Sequence, residues 1–485
     1  MLNPMNQTIE VNGRHYRLPS ARTAIVCLSG GSPDYLEAAV ADGAAPFMAR
    51  MMRDGAALGA DGVIPSLTHA NQLSIACGAP PALHGICGNT IHDAGAQQGH
   101  GADIALNQAA DLRADTVLAA AARAGARVAV VTAREKLRRL LGTGLRGICF
   151  SAEKAGQTSL AENGIADALD FVGLPSPDVY GAALSEFVLA AGVRLAKTRR
   201  VELMYLATHD YVQRKWAPGS AQANTFYAAI DRHLAQLDAL EWVVAVTADH
   251  GTGAKHDPRT GAPKVVYLQD ALDAWLDFPR TRVVLPIADP HVAHHGALGS
   301  FATIHLPDGL DASEVVMLLR RLDGIALALA RDEAAACFEL PVDRIGDVVV
   351  VARDDTVLGR REREHDLSAL TAPLRSAWRV RRAGGAAAVQ PARPGDGRCG
   401  PALAQFRRIR SRAEPSGARR RFRVRAHAAH AGAGDTCAVT GVGAASSAGF
   451  RLGVRAAHAR CGEWRRGIDA GRHPRAVRAA RRHRL

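Results

Sequence analysis

The first 376 residues lack the features of a membrane or secreted protein. No apolar run reaches the about 20 residues that a membrane-spanning helix requires, and the N-terminal segment MLNPMNQTIEVNGRHYRLPS has no apolar signal-peptide core. The cysteines are widely spaced and form no CxxC pair, so neither a disulfide framework nor a cysteine zinc site is indicated. We therefore predict a reduced, cytoplasmic protein with no membrane partner.

Lysine is absent from the C-terminal segment. Residues 377–485 contain 25 arginines and five acidic residues, a formal charge of +20, whereas the whole chain carries +13 and residues 1–376 therefore carry −7. A basic total suggests a nucleic acid as the partner, but nucleic-acid-binding arms usually mix lysine with arginine. The mildly acidic main part of the chain is typical of a soluble enzyme. We therefore predict no nucleic-acid partner.

Strand and helix patterns alternate along residues 20–376. TAIVCLSG, LMYLATHDY and WVVAVTADHG are short apolar runs that end in polar residues, whereas YLEAAVADGAAPFMARMMRDG and NTFYAAIDRHLAQLDALE have helical spacing. This order predicts an α/β protein whose mostly parallel sheet is covered by helices on both faces. Ligands of such sheets bind at the carboxyl ends of the strands, where Ser29, Asp210, Asp249 and His250 fall.

Two acidic positions have the pattern of metal ligands. Asp249 and His250 are adjacent after a strand, and their O and N donors can bind one divalent ion, although a polar loop with a capping Asp would have the same pattern. Asp210, in ATHDYVQRKWAPG, can be a metal ligand or the N-cap of a short helix. A metal site favours a His four residues further along the same helical face, but that position is Arg214.

A threonine lies at a predicted turn in PSLTHANQLSIACGAPPALHGICGN. Thr68 follows the turn and precedes a helical pattern, and the Gly-Pro-rich loop after the helix ends at Asn89. One interpretation is purely structural, a capped helix followed by a turn. The other is chemical, because a threonine hydroxyl on a metal ion can lose its proton and attack phosphorus.

Taken together, these stretches resemble the phosphonoacetate hydrolases of the alkaline phosphatase superfamily. The similar stretches are TADHG followed by AKHD, PSLTHANQLSI with HGICGN, VTAREKL, HHGALGSFAT and HDLSALTAPLRS, and they cover nearly all of residues 20–376. The resemblance implies an alkaline-phosphatase-like core over residues 20–264, a smaller inserted cap over 265–365 and a return to the core over 366–376.

The resemblance also implies two zinc ions (Zn²⁺) and a threonine nucleophile, Thr68. The first ion would be held at the positions of Ser29, Thr68, Asp249 and His250. The second would be held at Asp210, at the residue four positions later and at a distant histidine. The implied reaction is attack of Thr68 on the phosphorus of phosphonoacetate, release of a carboxylate-stabilised carbanion as acetate, and hydrolysis of the phospho-threonine to phosphate.

Three more residues are assigned to substrate binding by the resemblance. Asn89 matches a group that holds a phosphonate oxygen, and Arg134 and Lys136 match part of an anion-binding set. Without the resemblance, the two cations are equally well interpreted as solvated charges on a helix face. A small-molecule phosphonate is the partner that we expect, and a homodimer is compatible with these features.

Three ligand positions depart from the family. Ser29 stands where the family has Asp, Arg214 stands where it has His, and Ala377 stands where the last His should follow PLRS. Asp34, five residues after Ser29, is expected on the following helix. We therefore expect one zinc ion or none in this chain, and impaired hydrolysis.

The third departure coincides with the change in composition. Trp has only the codon TGG, so with GCA for Ala377 and CGG for Arg379, removal of the first G gives CAT GGC GG and restores a His after Ser376. With permitted synonymous codons, the shifted frame further encodes the apolar run AVPLLFN. We infer a one-base insertion near codon 377, which makes residues 377–485 an out-of-frame, disordered or irregular tail with few contacts to the rest of the chain.

Other functions remain open at this point. A phosphodiesterase or nucleotide pyrophosphatase of the same superfamily would use the same ligand positions. An inactive, metal-poor pseudoenzyme would account for the three substitutions. A nucleic-acid binder acting through the tail is a third possibility, which the missing lysine disfavours.

Overall fold

The computed structural model describes residues 7–93, 102–198, 201–276, 281–287, 298–368, 370, 372–377 and 384–389. The strands are, in chain order, β1 Thr8–Val11, β2 Arg14–Arg17, β3 Thr23–Cys27, β4 Ala56–Asp61, β5 Thr90–Asp93, β6 Ala102–Ala105, β7 Val128–Thr132, β8 Ile148–Ser151, β9 Leu203–Ala207, β10 Val243–Thr247, β11 Thr252–Ala254, β12 Val265–Tyr267, β13 Arg282–Val284, β14 Phe301–His305, β15 Ile325–Ala330, β16 Val348–Ala352, β17 Val357–Gly359, β18 Arg375–Ala377 and β19 Gly384–Val389. The α-helices are α1 Pro33–Ala41, α2 Pro46–Asp54, α3 Thr68–Cys77, α4 Pro81–His84, α5 Val117–Arg123, α6 Glu135–Leu141, α7 Leu160–Asn163, α8 Ala168–Val172, α9 Ala183–Thr198, α10 Tyr211–Lys215, α11 Ala221–Ala239, α12 Leu268–Leu276, α13 Ala312–Leu319 and α14 Arg331–Phe338.

The central sheet has the strand order β4-β19-β10-β3-β9-β7-β8. The five strands from β10 to β8 pair in parallel, while β19 is antiparallel to both of its neighbours. This mostly parallel sheet confirms the predicted α/β class. The parallel strands are nearly continuous apolar runs because helices cover both faces of the sheet.

Strand β3 shows how the two faces are filled. Its residues alternate between two apolar clusters: Ala24 and Val26 pack in one, and Ile25 and Cys27 pack in the other. The first cluster includes residues of α1, α2, α9 and α11, and the second includes residues of α3, α5 and α6. A strand buried on both faces therefore fixes which helices lie on each side.

The helical pattern that ends at Gly55 forms two helices instead of the single one that we expected. α1 stops before Gly43, whose φ of 75° lies in the left-handed region, and α2 starts at Pro46. Glycine adopts a positive φ without steric cost, and proline fits the first turn of a helix but not its interior. The turn lets the second helix pack along the sheet.

A smaller antiparallel sheet lies within residues 265–365, the range that the sequence assigned to a cap. Its strand order is β13-β14-β16-β15, and one of its two buried faces packs against α12 and α13 in an apolar cluster. Strand β12 pairs with β17 beside it. Among the described residues, every helix is too short or too polar to cross a membrane.

Strand β18, Arg375–Ala377, pairs with β11 beside the predicted site. In β18, Ala377 pairs with Thr252 of β11, and the buried Arg375 donates from Nε to the carbonyl oxygen of Gln213 (3.0 Å) in α10. Position 377 therefore lies opposite Thr252, which follows His250 by two residues. A histidine at position 377, which the resemblance implies, would lie on a strand next to the segment that carries His250.

We expected the chain beyond Ser376 to make few contacts with the rest of the chain, and this expectation is wrong for residues 384–389. They form β19, which pairs with Ala56–Asp61 over six residues and with β10 on its other side. Backbone pairing needs no particular side chain, so a segment of Gly and Ala can fill a gap between two strands. The other residues of the predicted tail lie outside the described residues.

The position of β19 agrees with the inferred change of reading frame. The shifted codons that encode AVPLLFN begin within codons 384–390, which overlap Gly384–Val389. A strand between two others favours apolar side chains on both faces, and the in-frame GGAAAV supplies only small ones. The shifted reading thus has an apolar run at the position of β19.

Truncation tests the contribution of β19. We expect a chain that ends at Ala377 to unfold with a free energy lower by about 2 kcal/mol or more than a chain that ends at Gln390, because it loses backbone hydrogen bonds to both neighbouring strands. Urea denaturation followed by circular dichroism measures the difference. Equal midpoints for the two chains would contradict the pairing of Gly384–Val389.

Candidate active site

Three neighbouring parallel strands deliver the predicted residues to one edge of the central sheet. Ser29 follows β3, Asp210 follows β9, and Asp249 and His250 follow β10. Because β10, β3 and β9 are adjacent and parallel, their carboxyl ends lie side by side. The fourth segment is the start of α3, which brings Thr68 to the same edge.

Thr68 is the first residue of α3, and the loop before it is fixed by Asn71. The Asn71 Oδ1 atom accepts from the backbone N–H of Val63 (2.7 Å), and its Nδ2 atom donates to the carbonyl oxygen of Pro65 (3.1 Å). Asn71 is buried, so these bonds form away from water. The loop is thereby held in one conformation, with the Thr68 hydroxyl at the sheet edge.

The Thr68 hydroxyl lies between Ser29 and His250. Its Oγ1 atom is 3.2 Å from Ser29 Oγ and 3.2 Å from His250 Nε2. The other ring nitrogen, His250 Nδ1, is 3.2 Å from the carbonyl oxygen of Gly251, which can only accept. Nδ1 therefore carries the ring proton, and the Nε2 lone pair faces the threonine hydroxyl.

Asp249 is buried and accepts four hydrogen bonds. Its Oδ1 atom accepts from the N–H groups of Gly30 (3.0 Å) and His250 (2.8 Å), and its Oδ2 atom accepts from Ser29 Oγ (2.8 Å) and Gln72 Nε2 (3.2 Å). Both carboxylate oxygens are thus satisfied by groups of the protein itself. Ser29 acts here as a donor, which an ionised carboxylate at this position could not do.

Gln72 was missed by the sequence analysis. Its Oε1 atom accepts from the Tyr205 hydroxyl (3.2 Å), which orients its Nε2 atom toward Asp249. Gln72 follows Thr68 by four residues, so the two share one face of α3. This spacing was the signal available in the sequence.

Asp210 is paired with Arg214. The Arg214 Nε atom donates to Asp210 Oδ2 at 2.6 Å, and the two side chains are 9% and 5% exposed. Asp210 occupies the N-cap position of α10, but its side chain makes no capping hydrogen bond. The carboxylate is therefore committed to the guanidinium one turn further along, and the capping alternative is not supported.

Asp210 also belongs to the group around Thr68. Its Oδ2 atom is 3.8 Å from His250 Nε2, and its Oδ1 atom is 3.6 Å from Nε2 of His209, which the sequence analysis did not select. The structure thus brings Thr68, Asp210, Asp249 and His250 together, as the sequence predicted. Asp34 lies exposed in the first turn of α1, where it does not replace the carboxylate missing at Ser29.

The residues at the second metal position do not fit a zinc ion. The Asp210 oxygen that faces the site is taken by a guanidinium, which has no lone pair to donate to a metal and does not deprotonate. Ala377 is buried and carries a methyl group where a third ligand is needed; its carbonyl oxygen accepts from Ser300 Oγ (3.2 Å). One protein ligand of three remains.

The first metal position fits zinc only in part. Asp249 and His250 supply a carboxylate and an imidazole, and Thr68 and Ser29 supply neutral hydroxyls. Structural and catalytic zinc sites usually have three or four Cys, His, Asp or Glu ligands. Within the described ranges, no group of three or more such side chains has an arrangement that could hold a metal.

Two of the three predicted substrate-binding residues lie near the start of α3, beside His69. Asn89 and Lys136 both act on His69, the neighbour of Thr68: burial first, and then the charge of Lys136, lower the pKa of His69 to about 4, while the Asn89 amide opposes the shift. Arg134 stacks over the ring of Tyr180 at 5.9 Å, and no hydrogen bond within the described part of the chain joins it to Thr68.

The comparisons with known proteins agree with this geometry. Residues 23–384 match the family model of type I phosphodiesterase / nucleotide pyrophosphatase. Crystal structures of phosphonoacetate hydrolase from Sinorhizobium meliloti 1021, in complex with phosphonoformate and with phosphonoacetate, are 49% and 48% identical to this chain; each has a TM-score of 0.76 and covers 80% of this chain and 94% of the other. Murine ectonucleotide pyrophosphatase / phosphodiesterase 5 is 14% identical, with a TM-score of 0.53 over 76% of this chain and 88% of the other, which shows the fold alone.

The chain therefore belongs to the type I phosphodiesterase / nucleotide pyrophosphatase family of the alkaline phosphatase superfamily and, within it, to the phosphonoacetate hydrolases. This confirms the resemblance inferred from the sequence. The family match ends at residue 384, close to the inferred change of reading frame. The part of the chain beyond the match is the arginine-rich segment.

A buried histidine orders the loop that leads to Asn89. His84 Nδ1 accepts from the N–H of Ile86 (3.1 Å), so the ring proton lies on Nε2, which is 2.9 Å from Ser74 Oγ. A second proton on the ring would direct an N–H at the N–H of Ile86. Burial, with a smaller effect of Arg344, lowers the pKa of His84 to about 3.

We expect stability to fall in acid because of His84. Between its ordinary pKa of 6.5 and the folded value of about 3, the unfolded chain binds the proton and the folded chain does not, so the free energy of unfolding decreases as the pH falls below 6.5. The loss attributable to His84 is about 3 kcal/mol between pH 6.5 and pH 4. Urea denaturation at a series of pH values should show a shallower slope for His84→Gln. A slope unchanged by this substitution would contradict the assignment.

Proposed function

We propose that this chain binds phosphonoacetate and cleaves its C–P bond through a phospho-threonine, at a rate far below that of a family member with complete ligand sets. The observation that carries the proposal is the position of the Thr68 hydroxyl, 3.2 Å from His250 Nε2 and next to the Asp249 carboxylate network. The same segments match phosphonoacetate hydrolase at 49% identity. The proposed nucleophile is thus in contact with His250.

The chemistry at Thr68 follows from its contacts. When no metal ion occupies His250 Nε2, its lone pair can take the hydroxyl proton as Thr68 Oγ1 forms a bond to phosphorus. The C–P bond breaks, its electron pair stays on the carbon next to the carboxylate, and the proton taken up by His250 converts the carbanion to acetate. Water then cleaves the phosphorus–oxygen bond of the phospho-threonine, which releases phosphate and returns the proton to Thr68.

The family's metal ions supply charge that this chain lacks. Zinc at the first position, held by Asp249, His250 and Thr68 with Ser29 as a weak oxygen ligand, would lower the pKa of the threonine and neutralise phosphoryl charge. Asp249 orients this set through its bonds to Ser29, Gly30 and Gln72. The set therefore supports one weakly held ion at most.

The second position disfavours a dication electrostatically. A zinc ion at Asp210 would stand beside the Arg214 guanidinium, and the repulsion between such charges is of the order of several kcal/mol in a dry pocket. With one ion or none, most of the charge that develops on the phosphoryl group in the transition state is not neutralised. This is the physical reason for the reduced rate.

An inactive, metal-poor protein is the second candidate function, and the Asp210–Arg214 pair is the observation that favours it. Both candidates bind the same phosphonate, and they differ in turnover and in zinc content. A phosphodiesterase activity is the remaining alternative, on the basis of the family match. Release of a nitrophenol from a phosphodiester, measured beside release of phosphate from phosphonoacetate, separates it from the proposed activity.

Repair of the ligand positions should restore the reaction in steps. For the unchanged chain we expect fewer than one zinc ion per chain and very slow phosphate release. Deletion of one base at codon 377 should raise the rate of phosphate release only a little, because Arg214 and Ser29 remain. The frame-corrected gene with Ser29→Asp and Arg214→His should bind two zinc ions and gain at least about a thousandfold in rate. Metal analysis and a phosphate-release assay measure the two quantities.

The control for this series is Thr68→Ala in the fully repaired chain. It should keep both zinc ions, because the carboxylates and imidazoles remain, and lose phosphate release, because the nucleophile is gone. Two tightly bound zinc ions and rapid turnover in the chain as written would show that the ligands have been misplaced. Turnover that survives Thr68→Ala would overturn the threonine mechanism.

A further inference from the structure

The two substitutions at the metal positions change the charge of the site by the charge of one divalent ion. Relative to the aspartate and the neutral histidine that the resemblance implies at these positions, Ser29 removes one negative charge and Arg214 adds one positive charge. Their sum is two positive charges. Both changes lie in side chains that contact the two remaining carboxylates, Asp249 and Asp210.

Both carboxylates accept hydrogen bonds from groups of the chain itself. Asp249 receives four hydrogen bonds, one of them from the substituted Ser29, and Asp210 receives the Arg214 guanidinium. Buried carboxylates without partners would destabilise the fold strongly. In this chain the partners are parts of the chain itself.

Arg214 has a donor that none of the described residues accepts from. Its NH1 atom is buried and has no hydrogen-bond partner among the described residues, although the side chain is only 9% exposed. A buried, charged N–H without an acceptor costs more than an ordinary hydrogen bond contributes, so such a group favours a ligand that supplies an oxygen. A guanidinium is well suited to the oxygens of phosphate-like groups.

The guanidinium lies close to the nucleophile. Arg214 Nε is 2.6 Å from Asp210 Oδ2, which is 3.8 Å from His250 Nε2, which is 3.2 Å from Thr68 Oγ1. The distance from Arg214 Nε to Thr68 Oγ1 is therefore at most the sum of these three contacts. A tetrahedral phosphorus group with one face at Thr68 spans several ångströms and can direct an oxygen to Arg214.

We propose that Arg214, held by Asp210, takes the place of the second metal ion as an anion-binding group, so that the site binds a tetrahedral phosphorus oxyanion without metal. The inference rests on the proposed function only for the position of the phosphorus group at Thr68. Binding and turnover are separable, because an arginine supplies one positive charge where the family has two, and it activates no nucleophile.

Titration calorimetry of the full chain with phosphonoacetate, in excess EDTA and at low ionic strength, tests the proposal. We expect the chain as written to bind, and Arg214→Met to weaken binding at least tenfold. Lys215→Met is the matched control: it removes the same charge from the next residue, whose side chain stacks on Tyr211, and it should change the affinity less than twofold. All of these chains carry the same arginine-rich segment, so the difference between them isolates Arg214.

Arg214→His provides a second variant if Arg214→Met does not fold, because histidine is the residue that the family has at this position. It should also weaken metal-free binding at least tenfold. Absence of binding to the chain as written in EDTA, or equal affinities for the Arg214 and Lys215 variants, would overturn the proposal. Metal-free binding without any hydrolysis would support this inference and contradict the proposed activity. Zinc-dependent hydrolysis without metal-free binding would contradict this inference and support the proposed activity.

Discussion

The parallel pairing of β9, β3 and β10 is the constraint on which the site depends. Each strand is an apolar run of five residues, and each is followed within three residues by a polar side chain of the site. The registers Ala24↔Met204 and Ala24↔Val244 align the three carboxyl ends. The strand pairing alone therefore brings Ser29, Asp210 and Asp249 together. Substitution of a ligand therefore changes the chemistry of the site and leaves its location intact.

The Asp210–Arg214 pair shows the consequence. A buried ion pair contributes little to stability on balance, but loss of one partner leaves an uncompensated charge and is strongly destabilising. Loss of the Arg214 charge would therefore lower the free energy of unfolding. While the guanidinium is present, it occupies the Asp210 oxygen that a metal ion would need. The Arg214 guanidinium thus compensates the buried Asp210 carboxylate without a metal ion.

The sequence predicted the fold class, because its strands are buried on both faces and its helices have clear spacing. It also predicted that Thr68, Asp210, Asp249 and His250 would converge, since strand ends in a parallel sheet share one edge. It did not predict Gln72. The spacing of four from Thr68 places Gln72 on the same helix face, but only its partners Tyr205 and Asp249 distinguish it from the other residues of that face. Strand β19 was missed for a different reason: GGAAAV carries no strand signal, and its pairing depends on the gap between Ala56–Asp61 and β10.

We expect Arg214 to exclude a metal ion from Asp210. Crystals grown with excess zinc, with diffraction recorded on both sides of the zinc absorption edge, test this expectation. No anomalous peak should appear at Asp210, the guanidinium should remain on its carboxylate, and at most a partly occupied peak should appear beside Asp249 and His250. A full zinc peak on Asp210, with the Arg214 side chain turned away, would contradict this expectation.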